Sequence, residues 1–312
     1  MSSTVNTLWL FIILTNTALP STITVFEARA VAWRTCIADM PRASTSPLFS
    51  VHVCQLPGRV IAHIHVYKSA GTVIKAMITA ACALLKGTYT KLRELRSQRA
   101  LQQFELLVVD DTRPKVLFST HREPVRRFFS ALAEVTRRGR MSAQAYKHAD
   151  EHRNPLQTMQ WMLEHQKEAR LPQCNGHFAP AVAFLAQNRS QDGSHVAWPL
   201  DYVVDPAQPG ELELLWSIMV NGSNLPYPAV DGRHHQDAEY QQCRDRARSC
   251  KFASNRTRSL MPYLMMEAHE STAWMNATLR QTLYRDDERC YRAAEQAALR
   301  ARHGWQLPGR DG

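Results

Sequence analysis

Two apolar runs of strand length each end in a basic turn and pass straight into a helix, and no other feature of this chain of 312 residues narrows its fold as much. RVIAHIHV (59–66) leads through Y-K-S-A-G into TVIKAMITAACALLK (72–86), where Val73, Ile74, Met77, Ile78, Ala81 and Leu85 recur at helical spacing. KVLFST (115–120) leads through H-R-E into a helix that Pro124 opens, at the first-turn position where its missing N–H costs nothing, and that continues to about Arg138. FELLVV (104–109) and DYVVD (201–205) are short enough for further buried strands. Helical patterns cover about 142–151, 155–168, 179–187 and 209–220, and, apart from Pro262, 258–285. Strands alternating with helices predict an α/β architecture, a mostly parallel sheet flanked by helices, with ligands at the carboxyl ends of the strands.

The chain has enough residues for a large core, and its 45% apolar content excludes a disordered or fibrous protein. Lys and Arg exceed Asp and Glu by ten, so the surface attracts anions. No RGG tract, aromatic-rich basic segment or C-x-x-C pairing accompanies that charge, which disfavours nucleic acid. Residues 2–26 carry no charge, and LWLFIIL (8–14) is their apolar centre, so 1–26 is expected to be a signal anchor or a signal peptide. Polar residues from Thr15 to Thr22 dilute the run, and Ala18 or Ala30 would suit cleavage. Residues 27–57 show no sustained period and are expected to be a stem or linker. The folded domain is then placed at 58–292, with a peripheral tail at 293–312. Acceptor patterns N-x-[ST] at Asn188, Asn221, Asn255 and Asn276 point to a lumenal chain. Seven cysteines allow a few disulfides and an odd thiol; Cys82, in an apolar helical run, is expected to be the unpaired one, and Cys243 and Cys250 are close enough to pair.

Chemistry concentrates at the two junctions. Backbone N–H groups from Lys68 to Thr72 would converge at a helix N-terminus, which favours a negative ligand; Gly71 permits close approach and Lys68 adds a full charge. The pattern G-x-x-x-x-G-K-[ST] is absent, so a standard nucleoside triphosphatase or kinase is disfavoured. At the second junction, Arg122 lies just past the strand and Ser130 two turns into the helix, so a guanidinium and a hydroxyl can meet on one phosphate. Val125, Phe128, Phe129 and Leu132 form the core-facing stripe of that helix, a requirement that accounts for neither Arg122 nor Ser130.

With these residues in place the chain resembles the membrane-anchored Golgi carbohydrate sulfotransferases, in the branch acting on GalNAc or glucuronic acid termini and on chondroitin or dermatan chains. Tyr67–Thr72 is similar to that family's 5′-phosphosulfate loop, with tyrosine where proline is usual, and Arg122, Glu123, Pro124, Arg127 and Ser130 are similar to its 3′-phosphate motif. HFAP (177–180), the DYVVD strand and the Tyr284, Asp287, Tyr291 series of the closing helix resemble further family segments, so the likeness spans about 60–291. The resemblance implies a P-loop-like sulfotransferase fold and 3′-phosphoadenosine 5′-phosphosulfate as co-substrate, with no metal. Its cofactor contacts would be Lys68, Ser69, Ala70, Gly71, Thr72, Arg122 and Ser130. It also implies a glycan acceptor, for which the positive charge suits an acidic chain, and a Golgi-membrane protein with a lumenal domain, or a secreted one if the N-terminal segment is cleaved.

Sulfuryl transfer needs a base for the acceptor hydroxyl and positive charge on the bridging oxygen. Lys68 fits the second role and His177 is the nominal base, with His65, His121, Glu123, Asp110 and Asp111 as other candidates near the cofactor motifs. His148 and His152 share a helix face without the H-E-x-x-H order of zinc enzymes, and RHHQD (233–237) sits in a loop-like region that could contact the acceptor. An inactive lumenal glycan-binding protein of the same fold is the alternative.

Overall fold

The computed structural model describes residues 19–40, 50–93, 98–137, 142–152, 154–166, 168–169, 177–187, 196–222, 225–228 and 273–303. In chain order its elements are α1 (Leu19–Ala38), β1 (Ser50–Leu56), β2 (Arg59–Ile64), α2 (Gly71–Leu84), β3 (Thr88–Arg93), α3 (Gln98–Phe104), β4 (Lys115–Thr120) and α4 (Pro124–Arg137). There follow α5 (Ala143–His152), α6 (Pro155–Glu164), the single turn α7 (Val182–Leu185), β5 (Ala186–Gln187), β6 (Val196–Ala197), β7 (Tyr202–Val204), α8 (Glu211–Met219), α9 (Ala273–Gln281) and α10 (Arg285–Arg302).

Five strands form one sheet in the order β3-β1-β2-β4-β7, and β5 and β6 make a separate two-stranded ribbon. β4 runs parallel to β2, with Val60 opposite Lys115 and Ile64 opposite Ser119, and β7 runs parallel to β4. β1 is antiparallel to both β2 and β3, so the sheet is mixed and the expectation of a mostly parallel one is corrected. The cause is the two-residue turn Pro57–Gly58, which makes β1 and β2 a hairpin that the strand reading from residue 59 did not include.

Alternation along the strands separates two cores. Val51, Val53, Val60, Ala62, Ile64, Leu117 and Val203 face α1 and α10, where Trp33, Ile37 and Ala294 meet them. Cys54, Ile61, Phe118 and Val204 face α2 and α8, against Ile74, Met77, Ile78, Leu215 and Met219. A third cluster joins α4, α5, α6 and α9 through Phe128, Leu132, Tyr146, Met162, Leu279 and Tyr284.

The stem expected at 27–57 is instead part of the domain. Val25, Phe26, Arg29, Ala30, Trp33, Cys36 and Ile37 form a buried stripe along α1, and all of β1 except Gln55 is buried. The stripe holds an arginine and an alanine, and β1 is covered on both faces with His52 inward, so neither shows the clean apolar period that sequence reading needs. Cleavage after Ala30 would remove Val25, Phe26 and Arg29 from the cores. Cys36 is bonded to Cys290 of α10, and Cys54 of β1 to Cys82 of α2, which corrects the expectation of an unpaired Cys82. α10 continues to Arg302 with Ala294 and Ala298 buried, so the tail expected from 293 is also packed over its first ten residues.

FELLVV is not a strand: Phe104 closes α3 and Glu105–Val109 forms a π-helical turn. Burial falls on Phe104 and Val108, four apart, while Leu106 is exposed, and Lys115 Nζ binds the carbonyls of Val108 and Val109 at 2.9 Å each. A short apolar run satisfies either period, and here the cation at the carboxyl end favours the helical one. Among the described residues no helix is long and apolar enough to cross a membrane. Residues 1–18, 233–237, Cys174, Cys243 and Cys250, and the acceptor patterns at Asn188 and Asn255, lie outside the described residues.

Candidate functional site

The parallel pair β2 and β4 ends at one edge of the sheet, and both basic junctions therefore open into one cleft of about 510 Å³. Lys68, Ser69, Ala70, Gly71, Thr72, Arg122, Ser130 and His177 all line it. The sequence places these residues up to 109 positions apart, and the register of two neighbouring strands brings them together.

The first junction is built for a close backbone approach. Lys68 and Ala70 both adopt left-handed backbone, with φ of 68° and 58°, a conformation that costs a non-glycine residue about 1–2 kcal/mol. Neighbouring groups hold it there. Thr120 of β4 donates to the Ser69 carbonyl, Arg122 Nη1 lies 3.3 Å from the Lys68 carbonyl, and Ser69 N–H bonds to Val66 O at 3.3 Å. Strain held by surrounding structure is characteristic of ligand sites, and left-handed turns of this kind aim successive N–H groups into a concavity.

The first ladder bond of α2 runs from Ile74 N–H to Ala70 O at 3.1 Å, so the N–H groups of Gly71, Thr72 and Val73 precede the ladder, and the N-cap residue, Ala70, has no side chain that could cap them. Ser69 Oγ is buried and has no hydrogen-bond partner among the described residues, an arrangement that a ligand oxygen would satisfy. Gly71 is required for space: a Cβ built there would lie 1.8 Å from His65 Nε2.

The second junction divides its arginines by task. Arg122 lines the cleft, with Nη1 3.3 Å from the Lys68 carbonyl. Arg127 points the other way and is buried: Nη2 binds Asp287 Oδ2 at 2.5 Å, Nη1 binds Ala179 O at 2.7 Å, and the guanidinium lies over the Tyr284 ring. Asp287 in turn accepts from the N–H groups of Ala181 and Val182. These contacts fix the segment that carries His177, whose ring lies 5.3 Å from that of Tyr67 at the cleft wall.

Several lining residues lay outside the sequence reading of the site. His52, Lys75, Lys91, Glu134 and Asp205 join the predicted set. His52 and Lys91 are cross-strand partners, and His52 also faces His63, so one row of the sheet carries Lys91, His52 and His63 beneath the start of α2. His52 Nδ1 meets the Tyr89 hydroxyl at 2.7 Å, and the rings of His52, His63 and His65 lie 5.4–5.9 Å apart. Burial, with His65 and His52 beside it, pushes the His63 imidazole well below its ordinary value and keeps the ring neutral. Only the pairing of β1 with β2 and β3 aligns that row. Glu134, by contrast, is four residues beyond Ser130 on the same helix, a spacing that could have flagged it.

Other candidates are committed elsewhere. Asp111 is paired with Arg113 at 2.6 Å, and Glu123 with Arg280 at 3.0 Å; neither they nor Asp110 line the cleft. His148 and His152 stack with each other and His148 with Trp161, between α5 and α6. His121, Asp205 and Glu295 bring ligand atoms within 4.8 Å of one another, which raises the question of a metal. The indole of Trp33 donates to His121 Nδ1 at 3.2 Å, which leaves the ring proton on Nε2, 3.2 Å from Glu295. Burial opposes ionisation of Glu295, but His121 and Arg29 outweigh it and hold the carboxyl below its ordinary value. Nδ1 of His121 is thus taken by the indole, and Nε2 faces Glu295. No protein-family model, curated protein or solved structure matches the chain.

Proposed function

We propose that the protein transfers a sulfuryl group from 3′-phosphoadenosine 5′-phosphosulfate to a hydroxyl of a glycan in the lumen of the secretory pathway. One observation carries the reading: two strand-to-helix junctions, one with a lysine and a helix N-terminus, the other with an arginine and a serine, line a single cleft. A nucleotide with phosphate groups at both its 3′ and 5′ ends is the ligand that asks for two such anion sites. The cleft falls within the range of about 300–1,000 Å³ usual for a small-molecule site. In this reading the start of α2 and the Ser69 hydroxyl bind the 5′ end, while Arg122 and Ser130 bind the 3′-phosphate, which ATP lacks. The two disulfides among the described residues suit the oxidising lumen, and a membrane-bound or secreted chain follows from the same reading of the N-terminal residues.

In the reaction the acceptor oxygen bonds to sulfur as the bond from sulfur to the bridging phosphate oxygen breaks. The hydroxyl proton passes to a base, for which His177 and His65 both line the cleft. Negative charge accumulates on the bridging oxygen, where the Lys68 ammonium stabilises it. The chemistry asks for no metal of the protein.

Two measurements test this. Calorimetry reads binding of adenosine 3′,5′-bisphosphate, and labelled sulfate transfer from the donor to a glycan panel reads activity. Wild type should do both, and Lys68→Ala and Arg122→Ala should each lose about 100-fold or more in transfer. Tight nucleotide binding with no transfer to any glycan would favour an inactive glycan-binding protein, and undiminished transfer by both variants would refute the site.

A further inference from the structure

A carboxylate inside a cleft built for anions needs an explanation. Glu134 lines the cleft, is 4% exposed, and lies with Oε2 3.5 Å from Lys68 Nζ. It stands one helical turn beyond Ser130, so an anion held by Ser130 sits close to a buried like charge. A purely structural role for the pair is disfavoured by its length. The buried arginine pairs of this protein close to 2.5 Å for Arg127–Asp287, 2.6 Å for Arg29–Glu211 and 2.9 Å for Arg29–Glu295, within or near the range of charge-assisted hydrogen bonds. Lys68–Glu134 is looser than these, and it joins a flexible, compact cation rather than a planar fork.

We infer that Glu134 is a specificity-determining counter-ion: any anion entering the cleft competes with it for Lys68, and only a ligand carrying enough charge to outbid it binds well. The inference rests on the anion-site reading of the cleft given above and deepens it. A small dianion gains one cation at the cost of weakening the Lys68–Glu134 pair and facing the carboxylate. A ligand with phosphates at both ends also gains Arg122 and the Ser130 hydroxyl, and so overcomes the same opposition. Glu134 thereby widens the gap between the intended nucleotide and common cellular anions, a form of selectivity achieved by repulsion.

The test is calorimetric binding of inorganic sulfate and of adenosine 3′,5′-bisphosphate to the full chain, as wild type, Glu134→Gln and Glu134→Asp. Glu134→Gln should tighten sulfate about 5-fold or more, the lower end of ordinary site coupling, and bisphosphate by less, so that the ratio of the two affinities falls. The gain should shrink as salt is raised. Glu134→Asp, which keeps the charge but withdraws it by a methylene, should move sulfate in the same direction by less. A natively folded Glu134→Gln that binds sulfate no tighter than wild type overturns the inference. Should that variant fail to fold, Glu134→Asp decides: tighter sulfate binding supports the inference, and equal or weaker binding overturns it. A wild type that binds sulfate but not bisphosphate would sink the nucleotide assignment while leaving the Glu134 comparison on sulfate intact. Absence of anion binding in every protein tested overturns both.

Discussion

At Gly71 the chain comes closer to a neighbouring side chain than any other residue type would allow. The His65 ring fills the place of a Cβ, and the ring also lines the cleft, so enlarging residue 71 must displace either the histidine or the start of α2. Gly71→Ala is therefore expected to cost about 1–3 kcal/mol in stability, as overpacking does, and to weaken bisphosphate binding, because the N–H groups of Gly71 and Thr72 move with the helix terminus. Urea unfolding and calorimetry check the two halves; an alanine variant with unchanged stability and binding would mean that His65 swings away freely. The same scale separates Lys68 from the arginines. Its left-handed backbone points to a position held by contacts to its own carbonyl and to that of Ser69, not by preference.

At the start of α4 the motif R-E-P-V-R-R splits into a cleft-facing and a scaffold-facing half. Arg122, just before the helix, turns into the cleft, whereas Arg127, one and a half turns later, turns into the protein and ties α4 to α10 and to the His177 segment. Breaking a buried pair by removing one partner costs about 3–5 kcal/mol, since the other charge is left uncompensated. Arg127→Ala and Asp287→Ala should each lose stability on that scale by urea unfolding, while Arg122→Ala should lose clearly less stability than either and lose nucleotide binding. Equal destabilisation by Arg122→Ala and Arg127→Ala would contradict this division. A second such link joins α1 to the cleft: Arg29 binds Glu211 at 2.6 and 2.8 Å and Glu295 at 2.9 Å, and Glu211 accepts from the N–H of the cleft residue Asp205.

Across the whole molecule, α1 and α10 close the chain on itself over one face of the sheet, and a histidine row carried by the sheet ties stability to pH. The Cys36–Cys290 bond spans 254 positions and joins α1 to α10. His63 is buried with its pKa well below the ordinary 6.5, so the folded state stays neutral there while the unfolded chain takes up a proton. Unfolding then gains a proton below about pH 6.5, and stability rises with pH through that window and is lost as pH falls, at up to about 1.4 kcal/mol per pH unit for one group. Thermal midpoints should fall from pH 7 to pH 5, and His63→Phe, which fits the stack against Phe118, should flatten the slope. An unchanged slope would assign the acid sensitivity to other groups.

Residue order alone determined the two strand-to-helix junctions, the helix opened by Pro124, the strand at Tyr202–Val204 and, among the cleft residues, Lys68 to Thr72, Arg122, Ser130 and His177, because turn chemistry and apolar period act over a few neighbouring positions. Tertiary structure decided the rest. Whether FELLVV became strand or helix, that Cys82 found Cys54, that Arg127 was buried and Arg122 was not, and that Glu134 reached Lys68 all depended on which surfaces covered them. The N-terminal helix and β1 stayed hidden for the same reason. Their buried faces include Arg29 and His52, polar groups whose burial is compensated only by partners far along the chain or on another strand, and local sequence carries no signal of a partner that distant.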